Sequence, residues 1–183
     1  MPWTQPKTWN TGEVLTASDM NAQLSGNLNH LNDMLNSYAQ LCDEKNSGTH
    51  GGTFTGGGWV TRDLNTLRYD AGGCVTLGSN RFTLQPGTYL IRATAPAHAV
   101  DSHVARLRNV TANSVIAQGQ VARCAAADSV ISLSHIAAVV ILSTAAQFEI
   151  QHYCATTRTT NGLGSALGAG PEVYTVVEIW RMA

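Results

Sequence analysis

Charge is what this sequence is shortest of. Only 13% of its 183 residues are Asp, Glu, Lys or Arg, against about 25% in ordinary soluble domains. Acids and bases nearly cancel, 12 against 11, for a net charge of −1. No basic field therefore draws the chain to nucleic acid or anionic lipid. Lysine disappears after Lys45, so every later cation is an arginine. Long apolar runs are missing too: the strongest, residues 136–142, is far too short to cross a bilayer. The N-terminus has no apolar segment of the secretory kind, and no signal peptide is expected. Cys42, Cys74, Cys124 and Cys154 stand far apart without a CxxC pair. Such spacing argues against a zinc or redox motif and for buried free thiols, with one or two disulfides as the alternative. Thr, Ser, Asn, Ala and Gly fill the places that charge has vacated, which suits a durable structural protein or a surface buried in an oligomer.

The length suits one domain with a tail, and composition divides it into zones. Residues 1–15 hold Pro2, Pro6, Trp3 and Trp9 and read as an extended arm. Two indoles on so short a piece must dock, on this chain or on a partner, and the partner is favoured. Residues 16–46 read as one helix. Thr16 or Ser18 can cap it, with Asp19 three residues after Thr16 as a capping-box partner, and Met20, Leu24, Leu28, Leu31, Leu35, Tyr38 and Leu41 recur every three or four positions. In heptads, Leu24, Leu31 and Tyr38 take position a, while Asn27, Met34 and Leu41 take d, which fits a short coiled coil with a polar register point at Asn27. An amphipathic helix lying on its own domain is the alternative. Residues 47–58 are glycine-rich and read as a linker.

From Trp59 to the C-terminus the pattern is short strands between turns, expected at 62–69, 74–77, 81–84, 88–95, 103–109, 114–121, 129–142 (with a break or bulge), 147–154 and 173–181. Many short strands with no intervening helix indicate a mainly β, antiparallel sandwich or jelly roll. The Thr- and Gly-rich stretch 156–170 reads as a long exposed loop.

Catalytic chemistry finds little support. The six histidines form neither HExxH nor HxH, and His98 and His103, bracketing a turn, read as rim residues; His135 and His152 read as core or interface residues within strands. Gly162–Gly168 matches neither GxGxxG nor GxSxG, and the carboxylates show no pairing of the glycosidase kind. No enzyme activity, cofactor or metal is expected. Arg106 and Arg108 alternate in one strand and so share a face, where they can bind acidic sugars or phosphate or form a salt bridge between subunits.

Two pieces carry a resemblance. Lys7–Asn21, with Trp9, Gly12 and the Leu15-Thr16-Ala17-Ser18-Asp19-Met20-Asn21 step, is similar to a segment near the N-termini of bacteriophage tail-fibre and related virion proteins. Leu84-Gln85-Pro86-Gly87-Thr88-Tyr89 and the closing Glu172–Arg181 resemble the C1q/TNF-like jelly-roll heads of phage fibres. The resemblance implies a homotrimer with a jelly-roll head over residues 59–183, on a stalk formed by Leu24, Leu28, Leu31, Leu35 and Tyr38. It implies docking to the virion through Trp3, Trp9 and Leu15. Host contact would fall to Arg106, Arg108, Arg158 and Asn161, within or near loops 97–102, 123–128 and 156–170. It places the chain in the virion, with other virion proteins and a host glycan or protein as partners, and with no nucleic acid and no membrane insertion. A capsid or tail decoration protein without a receptor is the alternative.

Overall fold

Alternation in Tyr89-Leu90-Ile91-Arg92-Ala93 and Phe148-Glu149-Ile150 commits these stretches to strands with one face inside. In the computed structural model Tyr89, Ile91, Ala93, Phe148 and Ile150 are buried between the sheets, and Glu149, on the other face, is buried by its own partners. The structure describes residues 3–35 and 37–182, with the backbone alone at residues 34 and 35. Among these residues twelve strands form two antiparallel sheets. The first sheet has the order β10-β6-β12-β1-β3. Its strands are β1 (Tyr38–Lys45), β3 (Thr66–Asp70), β6 (Gly87–His98), β10 (Ile131–Leu142) and β12 (Glu172–Arg181). The second sheet runs β4-β5-β11-β7-β8, with β2 on β11 and β9 on β7. These strands are β2 (Trp59–Thr61), β4 (Val75–Gly78), β5 (Arg81–Leu84), β7 (Asp101–Asn109), β8 (Ser114–Gln118), β9 (Ala122–Cys124) and β11 (Ala146–Cys154).

Between the sheets lie Phe82, Leu84, Tyr89, Ile91, Leu107, Phe148, Ile150, Val177 and Ile179, all fully buried. Phe82 and Phe148 stack at 5.6 Å. Each such side chain contributes about 1.5–3 kcal/mol by leaving water. All four cysteines are free and buried, as the sequence favours. Burial pushes the Cys74 and Cys154 thiols up to about 11, so they stay protonated and unreactive at neutral pH.

Several sequence expectations need correction. The helix begins as expected: Thr16 Oγ1 accepts from the Asp19 N–H at 3.1 Å, and the Asp19 carboxylate accepts from the Thr16 N–H at 3.3 Å. It runs through α1 (Ala17–Met20), a π-helical stretch (Asn21–Gly26) and α2 (Asn27–Leu35). It does not reach residue 46. Tyr38–Lys45 is β1, hydrogen-bonded to β12 on one side and β3 on the other. Tyr38 and Leu41 suit a period of 3.6, but Ala39 and Leu41 also suit a period of 2, and both are fully buried. Two neighbouring strands that satisfy its backbone decide the ambiguity.

The second correction concerns residues 47–58, which are not a free linker, and the third concerns 156–170, which is not an open loop. The two segments order each other. Gly51 and Gly52 N–H groups donate to the Gly164 and Thr160 carbonyls, the Leu163 N–H donates to the Gly52 carbonyl, and Phe54 exchanges both backbone bonds with Arg158. Phe54 and Leu163 are buried beneath them in a second small core with Ala97, Val100, Cys124 and Cys154. Glu172 closes the ends by accepting from the Gly48 N–H at 3.0 Å and the Leu167 N–H at 3.1 Å. Short strands β2 and β9 were not foreseen, and β10 pairs with β6 without the expected break, from Ile131 opposite His98 to Leu142 opposite Gly87.

Glycine is required where this cap packs most tightly. Gly164 has φ +146°, and a Cβ there would overlap the Tyr174 ring. That ring is held by its hydroxyl, which donates to the Thr49 carbonyl at 2.7 Å. Gly164→Ala is therefore expected to cost about 2–3 kcal/mol, lowering the melting temperature by roughly 5 °C or more. A thermal melt unchanged by the substitution would show that the cap is looser than its contacts imply.

Candidate interaction surface

The face of the five-stranded sheet that points away from the core is apolar over much of its area. Every second residue of β10 points outward: Ile131, Leu133, His135, Ala137, Val139 and Ile141. Val139 and Ile141 are 58% and 78% exposed. Strand register extends this face across the sheet. Tyr38 lies opposite Trp180, Trp180 opposite Leu90 and Leu90 opposite Val139, with the Tyr69 ring 5.9 Å from Tyr38. Below this row lies a polar one, Gln40-Glu178-Arg92-Ala137. The Tyr38 hydroxyl donates to Glu178 at 3.0 Å, and the Arg92 guanidinium lies 5.7 Å from the Trp180 ring. Arg92, Thr94, His135 and Glu178 also line an open cleft of about 590 Å³. A contiguous exposed apolar face of this kind marks an interaction site, and it is where the shortage of charge falls.

Tyr38 thus serves the sheet face and not the helix. Leu24, Leu28 and Leu31 do lie along the helix, between 45% and 63% exposed. The Leu35 side chain, like that of Met34, lies outside the described residues. Asn27, expected as a polar point in a coiled-coil seam, is buried beneath the arm instead: it accepts from the Thr4 N–H at 2.9 Å and donates to the Thr4 carbonyl at 3.0 Å. Gln23, one turn earlier, accepts from the Lys7 N–H and donates to the Gln5 carbonyl. Two amides spaced i, i+4 thereby act as an edge to which the extended arm pairs. Trp3 packs near His30 with ring centres 6.0 Å apart, and the Lys7 ammonium sits 4.4 Å from the Trp9 ring. The arm's backbone docks on its own helix, while Trp3, Trp9 and Leu15 keep 46%, 40% and 53% of their surface exposed.

On the opposite sheet, Arg106 and Arg108 share the outward face of β7 as their alternation requires. Arg108 donates to Glu149 Oε1 at 2.9 Å and to Asn113 Oδ1, and Arg81 donates to Glu149 Oε2 at 3.0 Å. Arg106 is held by Gln151 and lies 3.7 Å over the Trp59 ring. The arginines hold Glu149 below its usual range although burial works the other way. Arg158 and Asn161 form a separate pair, the guanidinium donating to Asn161 Oδ1 at 3.1 Å. The three loops named from sequence do converge: Asp101 accepts from the Ala126 N–H at 3.0 Å and the Thr156 hydroxyl at 2.5 Å.

Sequence reasoning missed two buried features beside these loops. Arg62 is fully buried and donates to Thr175 Oγ1 at 2.7 Å, the Pro96 carbonyl at 3.2 Å and the Leu163 carbonyl at 2.8 Å. His103, expected at a rim, is buried with His152: its Nδ1 lies 2.9 Å from His152 Nε2, and its Nε2 lies 2.7 Å from Ser132 Oγ. His98, the other expected rim residue, is buried as well, whereas His135 is exposed. Nothing local to either histidine announces the pair, because its members are 49 residues apart.

Neither a family model nor a curated protein matches this sequence. Its fold nevertheless recurs among solved structures. The globular domain of zebrafish complement 1qA matches with TM-score 0.51 at 14% identity, covering 80% of this chain and 98% of that one. The Eiger TNF of S. frugiperda gives 0.52 at 13%, covering 80% and 92%. The fold is the C1q/TNF jelly roll. Murine APRIL at pH 5.0 matches similarly, with TM-score 0.51 at 9% identity over 79% of this chain and 98% of its own. Such identities carry the jelly-roll architecture and leave the role to the surfaces described above.

Proposed function

We propose that this chain is a virion structural protein of a bacteriophage, a short homotrimeric fibre that docks to the particle by its N-terminal arm and meets the host with its head. The observation that carries this reading is the apolar outward face of the five-stranded sheet, which needs a cover. The leucine stripe adds to it, since only residues 36 and 37 separate the helix from β1, a strand of that face. A second and third copy would cover both surfaces at once, with the helices forming the stalk. Oligomers of a single chain usually close about a symmetry axis, and three copies about a threefold would cover a face of this kind. The arm's likeness to fibre N-termini supports the virion assignment, and the half-exposed Trp3 and Trp9 suit docking. The likeness to complement and TNF-type domains supports a binding and assembly role over a catalytic one.

The mass of the purified chain in solution is expected to be three times 19.4 kDa. Val139→Arg, which places a charge in the middle of the apolar row, is expected to give a folded monomer. A wild-type monomer would sink the trimer. Removal of residues 1–15 is expected to leave the trimer intact and abolish its incorporation into particles. Incorporation of the truncated chain would remove the arm's docking role.

A further inference from the structure

The outward face of the seven-stranded sheet carries three arginines and one carboxylate at close quarters. Glu149 is 1% exposed and fully engaged. Its Oε1 accepts from Arg108 and from Gln151 Nε2 at 2.7 Å, and its Oε2 accepts from Arg81 and from Thr61 Oγ1 at 3.3 Å. Arg106 makes no direct ion pair with it, or with any other carboxylate among the described residues; it is linked to Glu149 only through Gln151 and by charge at a distance.

Arg106 is nonetheless fixed in place. Its Nε and one terminal nitrogen both donate to Gln151 Oε1, at 2.8 and 2.6 Å. Its guanidinium is stacked on Trp59, whose ring lies 5.7 Å from Tyr153. Arg108 projects from the same face two residues on, about 7 Å away. Partial burial, and next the Arg108 charge, hold the Arg106 guanidinium below its usual range although the Glu149 charge works the other way. A cation that is ordered, partly desolvated and without a direct ion pair, in a cluster of three arginines and one carboxylate, is prepared for an anion. The ordering entropy that usually opposes such binding has already been lost in folding. Planar guanidinium favours two-pronged oxyanions, and the neighbouring rings offer an apolar flank for the body of a sugar.

We infer that Arg106, with Arg108 beside it and Trp59 and Tyr153 as its flank, is a binding site for an oxyanion carried on a saccharide, a carboxylate or a phosphate ester. The inference deepens the host-contact reading above and rests on it for its biological setting. The site lies on the sheet opposite the apolar face, so covering that face leaves it open. Three copies in one particle component would add weak contacts as avidity.

Calorimetric titration of the full-length protein, together with the indole resonance of Trp59, tests the site with oligogalacturonate, glucose 6-phosphate and neutral maltohexaose. Saturable binding is expected for at least one charged probe, with a shift of the Trp59 resonance and none from maltohexaose. Preference between the two charged probes identifies carboxylate or phosphate as the group read. Binding should weaken at least threefold between about 50 and 500 mM salt. Arg106→Lys should weaken it about fivefold or more, because charge survives but the fork and stack do not. Arg106→Met should abolish it with mass and melting temperature unchanged. Equal binding of maltohexaose, no binding of either charged probe, or indifference to Arg106→Met would overturn the site. A loss of trimer mass in Arg106→Met would make Arg106 a subunit contact instead and overturn it too. Charged-probe binding by a protein that proves monomeric or absent from particles would keep the site and remove the fibre reading.

Discussion

Arg62→Met is expected to lower the stability of the head by about 3–5 kcal/mol, the scale for losing one member of a buried charged network. Arg62 joins three segments by direct hydrogen bonds: Thr175 in β12, Pro96 in β6 and Leu163 in the capping segment. Burial lowers its own pKa to about 10, while the Asp43 and Asp63 charges favour its ionised form. It therefore stays charged at neutral pH. Methionine fills similar volume but leaves a hydroxyl and two carbonyls without their donor, each costing about 1–3 kcal/mol when buried. It also removes a favourable charge from Asp43, which is 1% exposed and otherwise paired with Lys45 at 3.0 Å. At this chain length the melting temperature should fall by about 10 °C. Hydrogen exchange should quicken first at residues 50–58 and 156–170. A melt within a degree or two of wild type would show that the cap is held without Arg62.

Acid is expected to destabilise the head well before its carboxylates titrate. Burial, followed by the Arg62 charge, lowers the His103 pKa to about 4 and the His152 pKa to about 2. The geometry explains the resistance to protonation. With His152 Nε2–H donating to His103 Nδ1, His103 Nε2–H donates to Ser132 Oγ, and His152 Nδ1 is left as an unpartnered acceptor among the described residues. The opposite direction would strand a buried N–H, which is the costlier orphan. Both folded values lie below the unfolded value of about 6.5, so the unfolded chain takes up protons first as pH falls. The stabilisation is complete above about pH 7 and is lost progressively toward the folded values. Between pH 7 and 5 the loss should reach about 2 kcal/mol for each histidine. The paired variant His103→Gln with His152→Gln should be less stable at pH 7.5 but flatter between pH 7.5 and 5. Chemical denaturation at the two pH values checks this. Equal wild-type stability at both would sink the argument.

How much was legible in advance depended on how local the signal was. The Thr16–Asp19 cap is written within four residues, and the structure repeats it bond for bond. Strands such as 81–84, 103–109 and 147–154 follow from two-residue alternation and nearby turns, and they lie where they were expected, to within two residues. The shared face of Arg106 and Arg108 follows from the same rule. The pairing of Arg108 with Glu149 does not, because the two are 41 residues apart and only the β7–β11 register sets them opposite.

The sequence by itself determined that this is a β sandwich or jelly roll with a capped helix ahead of it, poor in charge, because periodicity, capping and composition are properties of short windows. Tertiary structure alone decided that Tyr38–Lys45 is a strand, since its pattern suited two periods until β12 and β3 supplied partners for its backbone. It alone ordered the glycine-rich segments, whose few apolar side chains show no period and which gain a fold from each other's amides and the shared burial of Phe54 and Leu163. It alone also buried Arg62, His103 and His152, whose residue types point outward on average and whose partners come from distant parts of the chain. The early shortage of charge now has a place as well, on the outward face of β10, β6, β12 and β1, where strand register gathered apolar residues that were scattered along the sequence.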